Sequence, residues 1–220
     1  MPEKATFDSN QTPHEERING LTHMLGIAFS LAAGPYILYK AYMAGSLSLF
    51  ASVGIFLAGM LLVYTFSTLY HLANDQKRKF LLLKLDHISI YFLIAGTYTP
   101  VIIKYTDTGT ATLFLSIMWS IVVFGIFYKL FFINRAEVLS LILYLALGWM
   151  VVFVAGPIAD NMPLSVFWWV LLGGLSYTAG VYFFVKDHRK YYHAIWHLFV
   201  LGGTASHFFA INELINLSVF

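Results

Sequence analysis

Apolar residues in this chain do not recur with the period of an amphipathic helix or strand; they run on in long blocks, with polar residues gathered between them. Hydropathy marks such blocks at about 21–39, 47–70, 81–103, 110–132, 138–157, 164–185 and 194–217. Each approaches or exceeds the ~20 residues that a helix needs to cross a bilayer core. Strands of an outer-membrane barrel would instead alternate apolar and polar residues over about ten positions. The pattern therefore predicts an all-α polytopic membrane protein, a seven-transmembrane helix bundle. Residues 1–20 read as a short polar tail and residues 21–220 as a single domain. The small-residue pairs Gly173-Gly174 and Gly202-Gly203 interrupt the predicted spans and would let membrane helices approach closely.

Composition narrows the function classes. Of the 220 residues, 59% are hydrophobic and 11% charged, against about 25% charged in a soluble domain, which leaves no room for a separate soluble unit. A net charge of +2 without a basic run interleaved with aromatics argues against a nucleic-acid partner. The chain has no cysteine, so disulfides, a thiolate nucleophile and Cys-ligated metals are excluded, and any metal must be held by His, carboxylate or water. The first twenty residues carry Glu3, Asp8, Glu15 and Glu16 among few basic residues, unlike the cationic head of a cleavable signal peptide.

Where the basic residues fall predicts an orientation. With the N-terminus in the cytoplasm, Lys4, Arg17, Lys77, Arg78, Lys79, Lys84, Lys129, Arg135, Lys186, Arg189 and Lys190 fall on the cytoplasmic side. Only Lys40 and Lys104 fall outside, a bias of 11 to 2. The positive-inside rule then places the N-terminus in the cytoplasm and the C-terminus outside, with an odd number of spans, in the inner (plasma) membrane. Trp168, Trp169, Tyr191 and Tyr192 fit interfacial anchors.

Ionisable residues in membrane segments cost at least ~2.5–3.5 kcal/mol at the centre of the bilayer, so each calls for an explanation. His193 and His197 stand four residues apart at the start of span seven, on one helix face. His71 ends span two, with Ser67 one turn earlier, and Asp86-His87 opens span three. Taken singly, these are ordinary helix-end polar groups. The lysine and arginine topology puts His71, Asp86, His193 and His197 at one depth, and four such groups from three helices form a constellation. Imidazole suits zinc, and three nitrogens leave a fourth position for water, the pattern of a catalytic site. His71, His193 and His197 are the expected metal ligands. Positions 194–196 supply no carboxylate to serve as base. Asp86 is the expected substitute, accepting a proton from water, and Ser67 would steady that water or an oxyanion. His207 lies ten residues past His197, roughly 15 Å deeper along the helix, and is expected to be a buried hydrogen-bonding group. His23 and His87 fall near the same layer without evident partners.

Four stretches carry a family resemblance: E-E-R-I-N-G-L-T-H at 15–23, S-T-L-Y-H at 67–71, L-D-H-I-S-I-Y-F-L-I-A-G-T-Y-T-P at 85–100 and H-A-I-W-H at 193–197. They resemble the hemolysin III family, the bacterial branch of the progestin and adipoQ receptor superfamily, from the N-terminal motif to His207. The resemblance implies a seven-helix bundle with a cytoplasmic N-terminus. It also implies a zinc held by His71, His193 and His197, with Asp86 and Ser67 beside it. Animal relatives in that superfamily are similar to alkaline ceramidases.

The leading expectation is a zinc-dependent hydrolase opening an amide or ester bond of a membrane lipid or lipid-like substrate. The alternative is a receptor-like sensor of membrane state with a structural zinc. A cytolysin ranks last, because seven apolar spans do not make a secreted pore-former. A proton-relay transporter would need polar groups running across the bilayer rather than gathered in one layer.

Overall fold

Polar caps, more than the apolar blocks, decide where the helices begin. In the computed structural model, which describes residues 11–133 and 137–218, the Thr12 hydroxyl accepts from the Glu15 amide at 3.3 Å, and Glu15 Oε2 accepts from the Thr12 amide at 3.1 Å. This reciprocal capping box, with Pro13 at the first helical position, starts α1 at Pro13 and runs it to Met43. The helix thus begins well before the apolar block at 21–39. Of the predicted tail, residues 11 and 12 lead into this helix and residues 13–20 belong to it, while residues 1–10, Lys4 among them, lie outside the described residues, as does Arg135.

Ser46, Asp75 and Asp107 cap the next three helices, each side chain accepting from an amide of the first turn without the reciprocal bond. These are α2 (Leu47–Leu72), α3 (Gln76–Tyr105) and α4 (Thr108–Phe132). They are followed by α5 (Glu137–Gly148), a 3-10 turn (Met150–Val154), α6 (Ala155–Asn161), α7 (Leu164–Val185) and α8 (Tyr192–Asn216). Seven helical units are long and apolar enough to cross a membrane, with Leu139–Asn161 acting as one broken span, and no strand occurs among the described residues. The protein is therefore a multi-pass, all-helical membrane protein. Large apolar side chains such as Leu31, Phe131, Phe153 and Leu164 cover its outward faces.

The break in the fifth span is served from α3. Tyr98 donates its hydroxyl to the Gly148 carbonyl at 2.5 Å and accepts from the Val151 amide at 3.3 Å, satisfying backbone groups that the helix has released.

The tightest packing in the bundle is between α2 and α3. A Cβ on Gly59 would lie 2.8 Å from the Phe92 carbonyl oxygen, and one on Gly96 would lie 3.0 Å from that of Ile55. These two glycines bring the backbones into mutual contact, the way membrane helices gain dispersion energy in place of a hydrophobic drive. The pairs predicted to act this way divide. Gly173 and Gly203 sit under the rings of His207 and Tyr177, whereas Gly174 has open space before it. α8 packs against α1 and α7, while α7 makes little contact with α5 and α6.

α1 and α8 run side by side in the same direction. At one end Glu15 Oε1 accepts from the Tyr191 amide at 3.0 Å, holding the residue that enters α8 at a left-handed φ of 65°. At the other end Lys40 Nζ donates to Asn212 Oδ1 at 2.6 Å and also to Asn216 Oδ1, a cation placed at the negative end of the α8 dipole. The starts of α1 and α8 therefore share one end of the bundle.

Replacing Gly59 or Gly96 by leucine should destabilise the protein by about 1–3 kcal/mol or more through overpacking, lowering the thermal midpoint in detergent. Gly54→Leu, where nothing lies within 4 Å of the added Cβ, should leave the midpoint nearly unchanged.

Candidate metal centre

Three imidazoles converge where α1, α2 and α8 meet. Each of His71, His193 and His197 offers a ligand atom, and these atoms lie within 4.8 Å of one another. Ring centroids are 5.1 Å apart for His71–His193 and for His71–His197, and 4.7 Å for His193–His197, a nearly regular triangle. A tetrahedral zinc with bonds of about 2.0–2.1 Å needs nitrogens roughly 3.3 Å apart, so closure asks for only small side-chain movements.

The ring nitrogens turned away from the centre are occupied. His71 Nδ1 meets Glu16 Oε2 at 2.7 Å. His197 Nδ1 lies 3.1 Å from the Asn19 carbonyl, which can only accept, so that nitrogen carries the proton and Nε2 is left with a free lone pair. The Thr22 hydroxyl lies 3.0 Å from the same Nδ1. His193 Nδ1 makes a longer contact of 3.4 Å with Asp187 Oδ2. His71 Nε2 is buried with no partner of its own. An outer ring of carboxylate and carbonyl acceptors that fixes the tautomers and leaves Nε2 free is the arrangement of metal-ligating histidines. The donor set therefore fits a borderline ion such as zinc.

Asp86 and Ser67 sit with His193 and His197 on the wall of one cavity of about 400 Å³, otherwise lined mainly by apolar side chains. Ser67, 1% exposed, lies beside the Asp86 carboxylate, and its hydroxyl closes no well-formed hydrogen bond among the described residues. His87 lines the same wall, and Lys129 Nζ donates to its Nδ1 at 2.9 Å. Lys129 is one of the cations assigned to the cytoplasmic surface from sequence, yet it is buried.

All five residues singled out from sequence thus gather in one region: three imidazoles close enough to share an ion, and a carboxylate and a hydroxyl on the adjoining cavity wall. The sequence reading missed the contribution of α1. Glu16 bridges His71 and Lys79, the latter at 2.9 Å. Asn19 and Thr22 orient His197. His23 stacks on His197 at 3.5 Å between centroids, with both its nitrogens buried and unpartnered. The spacing of Glu16, Asn19 and His23 at i, i+3 and i+7 is that of one helix face, and it would have revealed this wall had 13–20 been read as helix.

Comparison with known proteins identifies the family. The family described as "Haemolysin-III related" matches residues 11–208. The "Hemolysin-3 homolog" of Bacillus subtilis (strain 168) is 38% identical over 200 residues, covering 91% of this chain and 94% of the relative. "Hemolysin-3" of Bacillus cereus is 36% identical over 211 residues, 96% of each. The human "Monocyte to macrophage differentiation factor" is 28% identical over 159 residues, 70% of this chain and 66% of the relative. With the matched region spanning everything from the capping box of α1 to the deep turns of α8, this chain belongs to the hemolysin III family.

Proposed function

We propose that this chain is a zinc-dependent membrane hydrolase that opens an amide or ester bond in a lipid or lipid-like amphiphile, with its metal layer at the cytoplasmic side of the plasma membrane. The observation that carries the reading is the placement of the three-histidine centre beside an apolar cavity, with His193 and His197 on a wall that also presents Asp86 and Ser67. His71, His193 and His197 would hold the zinc, which supplies Lewis-acid polarisation of the scissile carbonyl and lowers the pKa of water.

The chain's own residues account for the rest. The cavity falls in the 300–1,000 Å³ range of small-ligand sites, and its apolar walls suit a hydrocarbon chain. α7 makes little contact with α5 and α6, and an amphiphile would enter between them from the bilayer. Asp86 takes a proton from the attacking water and returns it to the departing nitrogen or oxygen. Ser67, whose hydroxyl lies beside the Asp86 carboxylate, donates to the oxygen that gains charge. Lys129, by donating to His87 Nδ1, leaves the neutral His87 ring with its proton on Nε2.

One feature favours a second reading, a regulator with a structural metal: the three histidines and their partners join α1, α2 and α8, so an ion there would also brace the fold. Asp86→Asn separates the two. In detergent or nanodiscs, with fluorogenic lipid amides and esters, hydrolysis should fall about 10²–10⁴-fold while zinc content is unchanged. Turnover persisting in Asp86→Asn with zinc bound would contradict this mechanism, and no turnover by the zinc-loaded wild type on any lipid amide or ester would favour the regulator.

The orientation has its own test, helped by the absence of native cysteine. In intact cells, Lys77→Cys should be shielded from a membrane-impermeant maleimide and Thr106→Cys should be labelled; the opposite pattern would invert the topology.

A further inference from the structure

The cavity has a second polar group part-way along its length. It runs from His23, Asp86, His193 and His197 past Tyr177 and His207 towards Met162 and Phe167. His197 and His207 lie ten residues apart on the uninterrupted α8, so the two polar groups are separated by roughly 15 Å. Between them the wall is mostly aliphatic and aromatic.

This second group is built from α7 and α8 together. The His207 ring lies against Gly173 of α7, where a Cβ would come 2.5 Å from Nε2, and the Tyr177 ring lies against Gly203 of α8, where a Cβ would come 2.5 Å from Cε1. Each helix gives up a side chain to seat the other's ring. The rings are also in contact, with centroids 5.5 Å apart.

Hydrogen-bond accounting shows what is left over. Thr204, fully buried, donates its single hydroxyl hydrogen to the Val200 carbonyl at 3.0 Å. In its 2.9 Å contact with Tyr177, therefore, Tyr177 is the donor and Thr204 the acceptor. No donor closes a hydrogen bond to the Tyr177 oxygen among the described residues, so its lone pairs remain available. His207 is 6% exposed, its Nδ1 is buried without a partner, and no hydrogen bond to its Nε2 occurs among the described residues. A neutral imidazole offers one donor and one acceptor, and leaving them unmet in an apolar interior is costly. The Tyr64 hydroxyl, from α2, is buried next to the same pair and also closes no well-formed hydrogen bond.

We infer that this pair of rings forms a second polar subsite that takes a hydroxyl group carried on the apolar chain of the bound amphiphile, roughly 15 Å from the metal layer by the rise of α8. A hydroxyl both donates and accepts, which matches an acceptor on Tyr177 and the two faces of His207. A carboxylate only accepts and leaves the Tyr177 lone pairs unmet. The inference rests on the reading of the cavity as an amphiphile site, but not on the presence of metal or on turnover.

The test is binding to metal-free full-length protein in detergent, with a saturated fatty acid and its mid-chain hydroxy analogue as probes. The hydroxy analogue should bind about five- to tenfold more tightly, the ratio expected for one or two buried hydrogen bonds. Tyr177→Phe, which removes one oxygen and leaves the packing on Gly203 intact, should abolish most of that preference without weakening the plain acid. His207→Phe should do the same. Equal binding of both acids by the wild type, as when water alone satisfies the site, would overturn the inference, and so would a preference that survives in Tyr177→Phe. Because no metal is present, failure of hydrolysis leaves this result untouched, and equal binding here leaves the hydrolase reading standing.

Discussion

The site depends first on the Glu16 carboxylate. A buried anion in a membrane protein is costly unless opposite charge and hydrogen bonds meet it. Glu16 is met twice, by Lys79 from α3 at 2.9 Å and by His71 from α2 at 2.7 Å. This one side chain from α1 therefore gathers three helices and sets the direction in which His71 presents its free nitrogen. Asn19 and Thr22, on the next turn of α1, do the same for His197. The first helix contributes no expected ligand, yet it orients two of the three.

The seven spans were legible because a bilayer demands long apolar blocks, and the expected ligands because polar side chains stand out sharply in such blocks. His71, Asp86, His193 and His197 were brought to one layer by counting lysines and arginines, and the structure places them in one region. The same contrast hid α1. Glu15, Glu16 and Asn19 lower the hydropathy of residues 13–20, so the segment reads as a tail, although its capping box and polar face belong to a helix. Lys129 was hidden for the opposite reason. A lysine at the end of an apolar block reads as a surface anchor, and only its 2.9 Å contact with His87 reveals it as part of the buried polar layer.

The glycine pairs show how packing and chemistry are tied together. Gly59 and Gly96 serve contact between α2 and α3 backbones, the role expected of small residues in membrane helices. Gly173 and Gly203 instead clear space for two polar rings part-way along the cavity. The sequence presents all four as the same signal, and only the opposing helix distinguishes them. The cavity thus carries two polar groups about 15 Å apart along an otherwise mainly apolar wall, a shape suited to an amphiphile that lies along α8.

The central claim is a metal centre whose ligands are oriented by α1, and metal content tests it most directly. Mass-spectrometric analysis of detergent-purified protein should find about one zinc per chain in the wild type and none in His71→Ala or in the His193→Ala/His197→Ala double variant. Glu16→Gln should retain the site with zinc affinity lowered about 10–100-fold. A wild type that takes up no zinc when supplied with it, or histidine variants that hold as much as the wild type, would contradict the account.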